Sequence, residues 1–178
     1  MRIISGWLKG RSFDAPRGFR THPMSERVKS AVFNTLGDLH DLTILDAFAG
    51  SGALGLEAIS RGAKYVQAIE IDTKAYKIIV KNKERFEIGD SYKITRANCA
   101  SWSKRNKDER FDIVFADPPF DKLRPDDLDQ LARHVTEGGL FIVSYSSRSD
   151  TPEVEGMMVT DSRFYGDQAI AYYRHNRK

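Results

Sequence analysis

Apolar positions along the chain change their period, and the changes divide it into three parts. Over 25–37 they recur at helical spacing as Val28, Ala31, Val32 and Leu36, with Ser25 placed to cap the first turn and Gly37 to end the last. This predicts a helix that packs through that face and shows Arg27, Lys29 and Asn34 on the other. From residue 43, short apolar runs alternate with amphipathic stretches. The runs predict strands at 43–46, 65–71, 92–96, 111–116 and 140–145. Helices are predicted between them: at 53–61, closed by Gly62; at 73–86, with Tyr76, Ile79 and Val80 inward; and as a weak turn at 100–107. A last helix starts at Pro125, runs through Leu128, Leu131, Ala132 and Val135, and stops at Gly138-Gly139. After a polar run over 146–156, two apolar segments at 159–165 and 169–173 flank Gly166-Asp167 and read as a hairpin. The whole predicts an α/β fold of Rossmann-like type, a doubly wound and mostly parallel seven-stranded sheet closed by a C-terminal antiparallel hairpin. Residues 2–17 stand apart. Gly6 and Gly10 punctuate short apolar and basic pieces there, which predicts a small hairpin with Trp7 and Phe13 free to pack or to stack on bases. The expected division is a basic hairpin extension at 1–24 and the main domain at 25–178.

Composition narrows the setting. The 178 residues are 40% hydrophobic and 30% charged, which suits one soluble domain, and no apolar run approaches the roughly 20 residues that a bilayer requires. The apolar stretch at the amino terminus is too short for a signal peptide, and the single Cys99 permits no internal disulfide. A reducing, cytoplasmic setting is therefore expected. Four scattered histidines offer no metal-ligand spacing, so no metal is expected; a monomer is the simplest expectation. The net charge is only +3, but residues 1–30 hold seven basic side chains against two acids, and the rest of the chain sums to −2. Arg2, Lys9, Arg11, Arg17, Arg20, His22 and Arg27 are accordingly the candidate contacts to nucleic-acid phosphates. The bland alternative is a solvated basic arm.

Two motifs carry chemistry. The segment from Asp46 through Phe48, Gly50, Ser51 and Gly52 to Gly55 leaves a predicted strand and enters a predicted helix, so its glycines let the backbone turn tightly against a ligand. Those glycines also satisfy a dinucleotide fingerprint. Asp46, four residues ahead of Gly50, breaks the tie, because an acid at that strand end meets a cationic group such as the methionine end of S-adenosylmethionine. Glu70, twenty residues after Gly50, can accept both hydroxyls of a ribose. Asn98 can reach an adenine edge, with Cys99 beside the ring; a turn role for Asn98 fits the spacing equally well. Asp72 is read as a helix cap.

The second motif is Asp117-Pro118-Pro119-Phe120, directly after the apolar run 111–116. A carboxylate, a rigid carbonyl at Pro118 and an aromatic ring form a clamp for an exocyclic base amine. Hydrogen bonds to Asp117 and Pro118 would aim the nitrogen lone pair, and Phe120 would stack on the base. Such a clamp needs a base out of its helical stack. Taken alone, the four residues are also a rigid turn. The sheet, the glycine loop and the clamp together favour a methyltransferase over a dehydrogenase.

These motifs, with Arg2-Ile3-Ile4-Ser5-Gly6, Thr21-His22-Pro23, Arg27-Val28-Lys29, Phe33-Asn34 and the block 45–58, resemble the RsmD-like family of bacterial small-subunit ribosomal RNA guanine methyltransferases nearly end to end. The resemblance implies S-adenosylmethionine as donor and the 2-amino group of a guanine in small-subunit ribosomal RNA as acceptor, presented within a partly or fully assembled subunit. It implies Asp46, Gly50 and Gly52 at the methionine end, Glu70 at the ribose, Asn98 at the adenine, and Asp117 with Phe120 at the guanine. His22 departs from the arginine common at its position. A DNA adenine or cytosine amino-methyltransferase, or an RNA-binding assembly factor without catalysis, are the alternatives.

Overall fold

The computed structural model describes residues 1–16, 24–120 and 124–176. Seven strands form one sheet in the order β3-β2-β1-β4-β5-β7-β6. β1 (Thr43–Asp46), β2 (Tyr65–Glu70), β3 (Tyr92–Arg96), β4 (Phe111–Ala116) and β5 (Val135–Ser146) run parallel. β7 (Gln168–His175) pairs antiparallel with both β5 and the edge strand β6 (Met157–Tyr165). This is the predicted sheet with its closing hairpin.

Strand alternation builds two cores. Ile113 and Phe115 of β4, with Ile170 and Tyr172 of β7, face a cluster that takes in α1 (Glu26–Leu36), α2 (Ala53–Ser60) and α3 (Thr73–Arg85). Val114 and Ala116, with Ala171 and Tyr173, face the other side, where α4 (Cys99–Arg105) and α5 (Pro125–Ala132) lie. The caps follow the sequence signals. Ser25 accepts from the Val28 amide, Asp72 accepts from Lys74 and Ala75, and Gly37 ends α1 at a φ of 73°.

Three expectations change. Lys29 is buried rather than displayed, because its ammonium meets the Glu57 carboxylate at 3.4 Å. The inner face of α3 is Ala75, Ile79 and Asn82, with Tyr76 and Val80 only half-buried. α5 ends at Ala132, and Val135 already belongs to β5. The Gly138-Gly139 pair sits inside that strand, where the register with β4 shifts between Phe111 and Ile113. Gly138 takes a φ of 76°, and a Cβ on Gly139 would come within 2.8 Å of the Asp112 carbonyl. The glycines therefore serve a bulge rather than a helix stop.

The amino terminus takes the small hairpin form expected of it and uses Phe13 for packing. Residues 1–13 fold back on themselves through a single antiparallel bridge, Arg2 with Ser12. Ile3, Leu8 and Phe13 are buried in the same cluster as α2 and α3, while Trp7 is exposed and donates its ring N–H to the Ile59 carbonyl. Glu57 of α2 fastens this segment, accepting from the Ile4 and Ser5 amides at 2.8 and 3.0 Å and from Arg61 at 2.8 Å. No helix among the described residues is long and apolar enough to cross a membrane.

Candidate functional site

Strands β2, β1 and β4 are neighbours, and their C-terminal ends carry Glu70, Asp46 and Asp117 in that order. Chain order reverses between β1 and β4, the switch point where open α/β sheets leave a crevice. Among the described residues, no group of histidines, cysteines and acids there or elsewhere is arranged to hold a metal ion.

The glycine loop between β1 and α2 is built by hydrogen bonds to both neighbouring strands, from Ala47 N to Phe115 O and from Ala49 N to Ile69 O. Gly50 and Gly52 take φ values of 55° and 77°, where a side chain would be strained. Beneath the loop lies the Tyr92 ring. A Cβ on Gly55 would stand 2.5 Å from its hydroxyl, so this glycine is required by close approach.

Asp46 is fully buried and neither carboxylate oxygen has a hydrogen-bond partner. Burial, then the Asp117 and Glu70 charges, push its carboxyl up to about 7, against a smaller opposing effect of the Gly55 and Phe48 amides. An orphaned buried carboxylate is costly unless a cation arrives to meet it, so the residues present fit the methionine end of S-adenosylmethionine. The raised carboxyl also has a stability consequence. The folded state holds this proton more tightly than the unfolded chain, so the stabilisation is complete below about pH 4 and is lost as pH rises through about 7. A rise from 3.8 to about 7 corresponds to on the order of 4 kcal/mol, part of which an asparagine would give back as an unpaired buried amide. Asp46→Asn is therefore expected to be about 1–3 kcal/mol more stable than the native chain at pH 8 and to lose that advantage at pH 4, as scanning calorimetry at the two pH values will register.

Glu70 is occupied on both oxygens. It accepts from Gly50 N and from Asp72 N, each at 2.7 Å, and burial raises its carboxyl in spite of those bonds. Asp117 is half-buried, with Pro118 buried behind it and Phe120 42% exposed. Burial pushes the Asp117 carboxyl up to about 6, with the Ser144 hydroxyl opposing. Ser51 and Phe48 are half-buried on the loop. Asn98 is exposed and its side-chain oxygen caps α4 by accepting from the Ser101 amide at 3.1 Å. Cys99 is buried, its thiol pushed up to about 12 by burial, so it is a packing group rather than a nucleophile.

Arg2, Lys9 and Arg27 line one cleft of about 460 Å³ with Glu26 and Ser30, and Arg2 pairs with Glu26 at 3.8 Å. Arg11 lies over the Phe86 ring. Arg17, Arg20 and His22 fall outside the described residues. Two site neighbours carry little signal in the sequence. Ile71, next to Glu70, is 65% exposed, although it reads as the last residue of a buried strand. Ser144 reads as one polar position in an apolar run.

The family model described as "Conserved hypothetical protein 95" matches residues 1–174. The chain belongs to this family. YlbH of Bacillus subtilis, provisionally named an rRNA methyltransferase, is 32% identical over 181 residues and aligns over 98% of both chains. Ribosomal RNA small subunit methyltransferase D of Escherichia coli is 38% identical over 121 residues, which is 67% of this chain and 60% of that relative. Among solved structures, yhhF of Escherichia coli, provisionally titled a methyltransferase, superposes with a TM-score of 0.89 at 31% identity, covering 100% of this chain and 99% of its own. The fold is thus the methyltransferase version of the α/β sheet, and the family's named relatives are methyltransferases.

Proposed function

We propose that the chain transfers a methyl group from S-adenosylmethionine to the exocyclic 2-amino group of a guanine in small-subunit ribosomal RNA. The observation that carries this reading is the unpartnered, buried Asp46 carboxylate one strand away from Asp117-Pro118-Pro119-Phe120. It sets a cation-seeking group beside an amine clamp. The names of the relatives add ribosomal RNA as the acceptor class.

Each residue then has a task. Asp46 meets the ammonium of the methionine end, with Phe48, Gly50, Ser51 and Gly52 bringing backbone against it. Glu70 keeps its two amide bonds and offers the remaining lone pairs to the ribose hydroxyls. Exposed Ile71 and buried Cys99 border the adenine, and Asn98, its oxygen spent on the cap, has its NH₂ left to donate. When bound, S-adenosylmethionine supplies the electrophilic methyl group. Asp117 and the Pro118 carbonyl accept from the guanine amine, Phe120 stacks on the base, and the raised Asp117 carboxyl suits it to take the departing proton near neutral pH. Arg2, Lys9, Arg11 and Arg27, with Arg17, Arg20 and His22, contact phosphates; the 1–24 region acts as substrate contact and 25–178 as the transferase. The working setting is the cytoplasm, with a monomer acting on a partly or fully assembled small subunit.

Incubation of the full chain with methyl-labelled cofactor and small ribosomal subunits, naked small-subunit RNA or duplex DNA tests the reading. Label on a guanine 2-amino group of ribosomal RNA is the expected result, and label in DNA alone would overturn it. The same preparation serves a second prediction. Because protonated Asp46 cannot attract a cation, cofactor affinity falls about tenfold for each pH unit below about 7, and Asp46→Asn abolishes the dependence together with most of the affinity. Calorimetric titration between pH 5.5 and 8, about the range over which this carboxyl changes charge, measures both.

A further inference from the structure

β4 ends in the clamp and β5 runs alongside it in parallel, paired from Phe115 with Ile142 to Ala116 with Val143. The next step of that register sets Asp117 beside Ser144. Ser144 is buried, at 2% exposure, and that register brings its side chain out on the same face of the sheet as the Asp117 carboxylate. On the far side of β5, Gln168 opens β7 opposite Ser146. Its carboxamide NH₂ reaches diagonally across the strands to donate to Ser144 Oγ at 2.8 Å.

The direction of that bond matters. A serine hydroxyl has one proton and two lone pairs. With a lone pair occupied by Gln168, its proton is free for an acceptor on the other side, and the acceptor there is Asp117. Bonds in such a chain polarise one another. The charged group facing Asp117 from the neighbouring strand is Asp46 at the end of β1, itself an acid. Among the described residues no ion pair compensates Asp117. A half-buried carboxylate beside another acid needs a neutral donor to hold its orientation, and Ser144 is placed to be that donor.

Resting on the function proposed above, we propose that Ser144, oriented by Gln168, is the positioning residue that fixes the Asp117 carboxylate for the acceptor amine. The antiparallel hairpin that closes the sheet thereby acquires a part in the reaction, since Gln168 is its first residue after the turn. Neither residue touches the acceptor; both act through Asp117.

The experiment follows the Asp117 carboxyl carbon by NMR titration in the native chain, Ser144→Ala, Ser144→Thr and Gln168→Leu, alongside kcat and KM for methyl transfer. Ser144→Ala is expected to move the Asp117 midpoint up by about one pH unit, and to lower kcat roughly tenfold with KM for the cofactor unchanged. The acid limb of the kcat profile moves the same way. Ser144→Thr, which keeps the hydroxyl, restores the midpoint and most of kcat. Gln168→Leu moves the midpoint upward by less. An unmoved midpoint in Ser144→Ala overturns the proposal, as does a downward movement in Gln168→Leu, which would mean that the serine donates to glutamine instead. If the midpoint moves as expected but the native chain methylates no RNA, the relay stands and the functional reading falls.

Discussion

Asp117→Ala lowers the turnover number for methyl transfer by about a thousandfold while the affinity for S-adenosylmethionine stays within about twofold of the native value. The separation follows from where the side chain stands. Asp117 directly follows β4 and is assigned above to the acceptor amine, whereas the orphaned Asp46 carboxylate ends β1 and is assigned to the cofactor. Removing the Asp117 charge also relieves its repulsion of Asp46, one of the causes that raise the Asp46 carboxyl. Cofactor binding near neutral pH is thereby helped rather than harmed, and the whole loss falls on orientation of the amine and acceptance of its proton. Single-turnover labelling beside equilibrium binding reads the two quantities separately. Turnover at the native level would remove Asp117 from the chemistry.

The largest effect on stability is expected at Glu57, far from any reacting atom. Its two oxygens hold the Ile4 and Ser5 amides and the Arg61 guanidinium, and they neutralise the buried Lys29 ammonium. Burial lowers the Lys29 ammonium below its ordinary range, with Glu57 as the largest opposing influence. Glu57→Ala strands that ammonium and two backbone donors at once, at a cost of about 3–5 kcal/mol. For a chain of this size that is a fall in Tm of roughly 6–20 °C. Replacing both partners, as Glu57→Leu with Lys29→Met, recovers part of the loss, because an unpaired buried charge is worse than none. Thermal denaturation of the three variants decides it, and a Tm for Glu57→Ala within a degree of the native chain would contradict the account.

This hub also shows where sequence reading stops. The helices, the five parallel strands and the closing hairpin are legible because each is written in a local period of apolar residues, and caps such as Ser25 and Asp72 mark their ends. Lys29 is not legible, since a charged residue in an amphipathic pattern reads as solvent-facing until a partner 28 positions away is known. The amino-terminal hairpin reads as an appendage for the same reason. Its attachment rests on bonds spanning more than 50 residues, from Ile4, Ser5 and Leu8 to α2. The Gly138-Gly139 pair misleads because a bulge and a helix stop make the same demand on φ, and only the register with β4 distinguishes them. At the site, the acids at three strand ends are legible from spacing alone. Asn98 is ambiguous in sequence and caps a helix in the structure. The placing of Gln168, Ser144 and Asp117 side by side needs three strands in register, which no local pattern encodes.

Glu70 carries one more consequence. Its carboxylate ties the amide of Gly50, on the loop after β1, to that of Asp72, on the loop after β2. The two loops are therefore anchored to one side chain. For the nucleoside binding proposed there, little backbone is left to immobilise, so the ordering entropy that commonly weakens loop-built sites is spent during folding instead of during binding.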